Sequence, residues 1–232
     1  MNLQILLQQV MTEVASNPEV QAVPEKINLW KMTTYGGPIM VILGIMLAIA
    51  VYIFIERLIT INNASQEDKS FMSRVKDYIH EGKIESAQRL CRETDSPASR
   101  MIEKGISRLG RPMDDVLLAV ENVGNLEVSN LEKSLVILAT ISGGAPMLGF
   151  LGTVTGMVLV FFNMTQNPTG VVQLVDLSSG MYQAMVTTVG GLIVGILAYF
   201  GYNYLISRVD SVVRNLESKT LEFMDLLNEP TK

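Results

Sequence analysis

Residues Ser134 to Val175 read SLVILATISGGAPMLGFLGTVTGMVLVFFNMTQNPTGVVQLV, 42 residues without an Asp, Glu, Lys or Arg. A bilayer core takes about 20 apolar residues per helix, so this run is too long for one span. Asn167-Pro168-Thr169-Gly170 supplies the turn residues that divide it. A re-entrant pair is the alternative reading, but the apolar part is long enough to cross. Working outward, Met32 to Ile55 is a second charge-free run of 24 residues, closed by Glu56-Arg57, and Leu177 to Ser207 is a third of 31. Pro38 to Ile55, PIMVILGIMLAIAVYIFI, is apolar on every face, as a span is and a surface helix is not. The sequence therefore predicts an all-α integral membrane protein with three transmembrane helices, at 36–56, 134–163 and 177–206.

Composition agrees. Charged residues make up 18% of the 232, against roughly 25% in an average soluble domain. Eighteen basic against 23 acidic residues leaves no basic excess, which argues against a nucleic-acid binder. A single Cys, Cys91, excludes an intrachain disulfide framework, and a single His, His80, gives no basis for a His-based metal site. Both fall in the charged central region and read as a reduced, packed thiol and a surface or packed imidazole. No His lies in a span, and the nearest Asp, Asp176, stands at a span end. Intramembrane proteolysis is thus not expected, no cofactor is implied, and the chain does not read as an enzyme.

Lys and Arg set the expected orientation. Residues 57–133 carry 12, residues 1–35 carry two, 164–176 carry none and 207–232 carry four. The positive-inside rule then puts 57–133 and 207–232 inside, 1–35 and 164–176 outside. Residues 1–35 lack the basic n-region and long apolar h-region of a secretory signal. Leu3, Leu6, Leu7, Val10, Met11 and Val14 recur at helical spacing there. That face could lie in the membrane interface or pack on its own protein.

Residues 62–111 read as short helices broken at Gly82, Ser96-Pro97 and Gly110-Arg111-Pro112. Pro112 suits the first position of a helix with Asp114 and Asp115 in its first turn, and no strong breaker follows until Gly143. Span two is therefore expected to continue as a long helix from Pro112. Leu205, Val209, Val212, Leu216, Phe223 and Leu227 extend span three as an amphipathic helix, with a gap near Lys219-Thr220.

The spans hold polar, uncharged residues: Ser142, Thr153, Thr155, Asn163, Gln183, Thr187, Thr188 and Asn203. Polar groups at membrane depth face a bundle interior or a hydrated path. The plainer alternative is that each hydroxyl bonds back to its own helix. Thr153 lies ten residues from Asn163 and Thr188 twelve from Asp176, about 15 and 18 Å below their outer span ends. Two antiparallel neighbours would set these hydroxyls at one level near mid-core. Gly152 with Gly156, Gly191 with Gly195, and Ala145 with Gly149 repeat small residues at four-residue spacing, the pattern of close helix packing and of a homo-oligomer built on it. Pro146, after Gly143-Gly144, is expected to bend span two.

At these residues the sequence resembles the MotA/TolQ/ExbB family of proton-channel stator subunits, its ExbB branch most. The resemblance rests on Leu131-Glu132, on Ala145-Pro146-Met-Leu-Gly149-Phe-Leu-Gly152-Thr153-Val-Thr-Gly156, on Ala184-Met-Val-Thr187-Thr188-Val-Gly-Gly191-Leu192-Ile-Val, and on Tyr202-Asn203. It covers about residues 30 to 220. It implies a multi-pass protein of a bacterial inner membrane with a periplasmic N-terminus and cytoplasmic C-terminus. It further implies a homopentamer around an ExbD-like one-span partner bearing a membrane Asp, with a TonB-like protein carrying the work to outer-membrane transporters. The family's polar path maps onto Thr153 and Thr188, with Thr187 and Gln183 beside them. A TolQ-like or motility stator, or a non-conducting scaffold, are the competing readings. Two departures stand out. Gln183 occupies a position where ExbB and TolQ proteins usually carry Glu, which removes a titrating group there. Leu197 stands where many relatives have Pro.

Overall fold

The computed structural model describes residues 36–65, 70–166 and 174–228. The amphipathic pattern at 3–14 and the turn at Asn167–Gly170 lie outside these. The helices are α1 (Gly37–Ser65), α2 (Phe71–His80), α3 (Ile84–Glu93), α4 (Pro97–Ile106), α5 (Met113–Glu132), α6 (Leu135–Thr165) and α7 (Leu174–Asn228). No strand occurs among the described residues. Three helical stretches are long and apolar enough to cross a membrane: Gly37–Ser65, Met113–Thr165 and Leu177–Asn228. The chain is an all-α membrane protein.

α7 is the axis on which the other elements pack. It runs parallel to α1, with Gly190 against Met40 and Leu43 and Gly201 against Phe54. It runs antiparallel to α6, with Gly156 against Ala184, Gly149 against Thr187 to Gly191, and Gly195 against Pro146. Exposed Val41, Ile45, Met147, Phe150, Leu192 and Ile196 make the outside of this three-helix layer apolar, as a lipid or neighbouring-subunit environment requires.

Beyond α1 the polypeptide becomes polar; α2, α4 and α5 pack on the second half of α7, and α3 packs on α2 and α4. We refer to this as the charged end. The breakers act where the sequence puts them. Gly82 and Gly110 take φ of +73° and +89°, conformations that L side chains rarely adopt. Ser96 and Ser99 form a reciprocal capping box, with Ser99 N–H donating to Ser96 Oγ (3.1 Å) and Ser96 N–H to Ser99 Oγ (3.3 Å), and Pro97 occupies the first turn of α4. Pro112 is the residue before α5 rather than its first, and Asp114 and Asp115 fill the first turn as expected. The amphipathic stripe of α7 is continuous. Thr220 fills the gap in it, buried, with its hydroxyl donated to Leu216 O at 3.0 Å.

The long helix expected from Pro112 to span two forms as the stretch Met113–Thr165, with a local irregularity at Lys133-Ser134. α5 ends at Glu132 and α6 begins at Leu135, although Lys133 and Ser134 both keep right-handed helical φ. The last carbonyls of a helix have no partner in it. Arg57 of α1 takes one, its Nη1 donating to Asn130 O at 3.0 Å, while Glu56 holds the other face of the guanidinium at 2.8 Å. A charged donor, and neither Gly nor Pro, stands at this junction.

Candidate functional site

The α6–α7 seam is built from residues with almost no side chain. A Cβ on Gly191 would lie 2.6 Å from Ala145 O and 2.8 Å from Gly149 Cα. A Cβ on Gly149 would lie 2.9 Å from Thr187 O. Only hydrogen fits at these contacts, so the two backbones approach closely and side chains at their margin meet. The small-residue faces are thus consumed within one chain, α6 against its own α7.

This approach brings Thr153 and Thr188 together, with their hydroxyl oxygens 2.7 Å apart. Thr188 Oγ1 also lies 3.1 Å from Gly149 O on the other helix, and Thr153 Oγ1 lies 2.9 Å from Phe150 O and 3.4 Å from Gly149 O on its own. Two hydroxyls carry two protons. One proton joins the pair, and the other goes to a backbone carbonyl. Turning both hydroxyls reverses the direction of this short chain. In either state an oxygen keeps free lone pairs. The pair accepts a hydrogen bond from an incoming donor without loss. It donates to an incoming acceptor only by giving up a carbonyl, at a cost of about 1 kcal/mol.

Helical geometry fixes the face on which the pair opens. On α7, Gly190 touches α1, and Thr188 is two residues away, about 200° around the helix. On α6, Gly144 faces Met46 of α1, and Thr153 is nine residues on, about 180° around. Both threonines therefore open away from α1, and both are half-buried.

The other singled-out residues separate. Thr187 is 2% exposed, lies against Gly152 and donates to Ala184 O at 2.7 Å, so it packs the seam. Gln183 stands on the α1 side, where a Cβ on Gly37 would lie 3.0 Å from its Nε2. It is not beside the threonine pair. Thr155 bonds back to Leu151 O (2.9 Å), and the exposed Asn203 to Tyr199 O (2.8 Å). Pro146 lies inside α6, with its ring against Gly195, so the helix runs through it. Among the described residues, no group of three His, Cys, Asp or Glu could hold a metal ion. Sequence reasoning missed the role of Gly149. Its carbonyl is the acceptor that both threonines approach, and a backbone oxygen has no signature in the sequence.

Comparison with known proteins places this seam inside a shared region. The family model described as the MotA/TolQ/ExbB proton channel family matches residues 93–218. The chain is 29% identical over 191 residues to a protein of Methanothermobacter thermautotrophicus described as an ExbB homolog, covering 81% of this chain and 66% of the relative. It is 38% identical over 79 residues to the biopolymer transport protein ExbB of Aquifex aeolicus, 34% of this chain and 52% of the relative. It is 30% identical over 104 residues to the Tol-Pal system protein TolQ of Haemophilus influenzae, 45% of each. The chain thus spans less than two thirds of the length of these three relatives.

Proposed function

The chain belongs to the MotA/TolQ/ExbB proton channel family, and from that premise we propose that it is the ring-forming subunit of an ion-driven membrane motor of the ExbB type. The observation that carries this reading is the Thr153–Thr188 pair, bonded across two antiparallel spans at mid-depth and open on the face away from α1. Several copies with that face inward, in the proposal a pentamer, would surround a hydrated centre lined by α6 and α7, with α1 outermost against lipid. Positive-inside counting supports a charged end in the cytoplasm and an N-terminal segment in the periplasm of an inner membrane.

The walls carry no titrating group at the level of the threonines, since neither a hydroxyl nor Gln183 ionises near neutrality. The titrating charge in this mechanism comes from the Asp of an ExbD-like one-span partner held in the centre. A buried carboxyl alone has its pKa raised by desolvation. The threonine pair accepts a bond from the protonated form. With one hydroxyl turned from its carbonyl, it donates to the charged form and opposes the rise. Proton binding and release thereby change the partner's contacts with the ring, and a TonB-like protein transmits the work to outer-membrane transport.

The test is co-purification with the one-span membrane protein encoded beside it, followed by proton flux in vesicles with that partner intact and with its membrane Asp changed to Asn. Flux that requires the Asp supports the reading. A stable complex with no flux in either form would leave a scaffold. A second reading, a Tol-Pal role, is favoured by the TolQ similarity. Gene neighbours of Tol type would select it.

A further inference from the structure

Ser142 and Tyr199 repeat the relation of Thr153 and Thr188 one level further along the seam. Ser142 lies eleven residues from Thr153 on α6, and Tyr199 eleven from Thr188 on α7, both toward the charged end. Eleven residues are three turns plus about 20°, a descent of about 16 Å on nearly the same helix face. Because the helices are antiparallel, equal and opposite steps keep the two at one level. We propose that Ser142 and Tyr199 form a second hydroxyl station of the ion path, at its charged-end mouth, which receives a hydrated proton released by the partner's carboxyl at the level of the threonine pair. This deepens the channel reading above and rests on it.

The chemistry at this level suits a cation with its water. Ser142 donates its one proton to Ala139 O at 2.7 Å, leaving its oxygen as an acceptor. Its carbonyl has lost the usual partner four residues on, because that residue is Pro146. Across the seam stands Gly195, where a Cβ would lie 3.0 Å from that carbonyl oxygen. Tyr199 is 56% exposed and on the threonine face. Gly201, two residues beyond it, packs on Phe54, and the apolar run of α1 ends at Glu56-Arg57. Tyr199 therefore sits about one turn inside the polar boundary, where a path through the core must open. A tyrosine anchoring the outer surface in the lipid interface would be the ordinary use of this residue at this depth. Exposed Tyr52 fits that use on α1, but Tyr199 lies on the face turned from α1.

The experiment uses the full complex with its one-span partner in vesicles, with proton flux driven by an imposed pH difference. Tyr199→Phe keeps the ring and Ser142→Ala keeps the helix. Each is expected to lower flux about fivefold, the equivalent of one hydrogen bond of about 1 kcal/mol, with oligomer mass unchanged. The deficit should vary with pH in the compartment facing the charged end and not in the other, which a purely structural role would not produce. Wild-type flux in the Tyr199→Phe/Ser142→Ala double variant, while Thr153→Val/Thr188→Val abolishes it, would overturn the station and leave the path standing. Wild-type flux in both double variants would remove the path itself.

Discussion

Gly191 shows how much a single hydrogen atom decides here. The atoms that a Cβ would strike are Ala145 O and Gly149 Cα, backbone atoms that cannot turn aside. Gly191→Ala should therefore force α6 and α7 apart and destabilise the subunit by about 1–3 kcal/mol, the usual cost of overpacking. Gly44→Ala, in mid-helix with nothing within 4 Å, is the matched control and should leave stability unchanged or raise it by up to about 1 kcal/mol. Thermal unfolding in detergent micelles measures both, and equal melting temperatures would contradict the seam. The glycine spacing was legible in the sequence, but not its use. Four-residue repeats suit contact between subunits as well as within one. Only the fold shows that Gly149 and Gly191 face each other in the same chain. The matched depth of Thr153 and Thr188 was legible from residue counting, because helical rise is constant. That Thr187 turns into the seam was not, since adjacent residues differ by 100° and the helix rotation was unknown.

At the scale of elements, the charged end behaves as a soluble helical core, and its one thiol reports on it. Cys91 of α3 is 1% exposed, and burial, with Glu103 second, pushes the thiol up to about 12 from its ordinary 9.0. Above pH 9 the unfolded chain loses this proton while the folded one keeps it. Stability must then fall as pH rises from about 9 to 12. Cys91→Ala should flatten that part of the stability profile, and wild-type Cys91 should resist thiol reagents at pH 8 until α2 to α5 unfold. Rapid labelling of the native protein would contradict the packing. Phe223 of α7 is fully buried against Gly105 and Val120, so Phe223→Ala should cost about 3–5 kcal/mol and open this end to limited proteolysis. The breaks at Gly82, Ser96-Pro97 and Gly110 were readable because they use residues with fixed conformational preferences. The irregularity at Lys133-Ser134 was not, because neither residue is a breaker and the Arg57 that bonds Asn130 O beside it lies 73 residues earlier in the chain.

At the scale of the whole molecule, the three spans follow from charge-free length alone, since no soluble packing hides such runs. Orientation is a separate prediction. A single Cys placed at Asn167, after Cys91 is replaced, should react with an impermeant reagent from the periplasmic side, and labelling from the cytoplasmic side alone would reverse the topology. Assembly is a further one. With the small-residue seam used inside the chain, the proposed ring is expected to form through exposed apolar faces of α6 and α7, such as Met147, Phe150 and Leu192. Phe150→Ser should reduce oligomer mass in native mass spectrometry without unfolding the subunit. The claim on which the account turns is that ions pass the Thr153–Thr188 pair. It is tested most directly by proton flux through the reconstituted complex carrying Thr153→Val and Thr188→Val together, at equal abundance and with oligomer mass checked. Valine keeps nearly the same shape and removes only the hydroxyls. The account predicts an intact complex with flux reduced at least tenfold, equivalent to about 1.4 kcal/mol. Wild-type flux in that variant would contradict it.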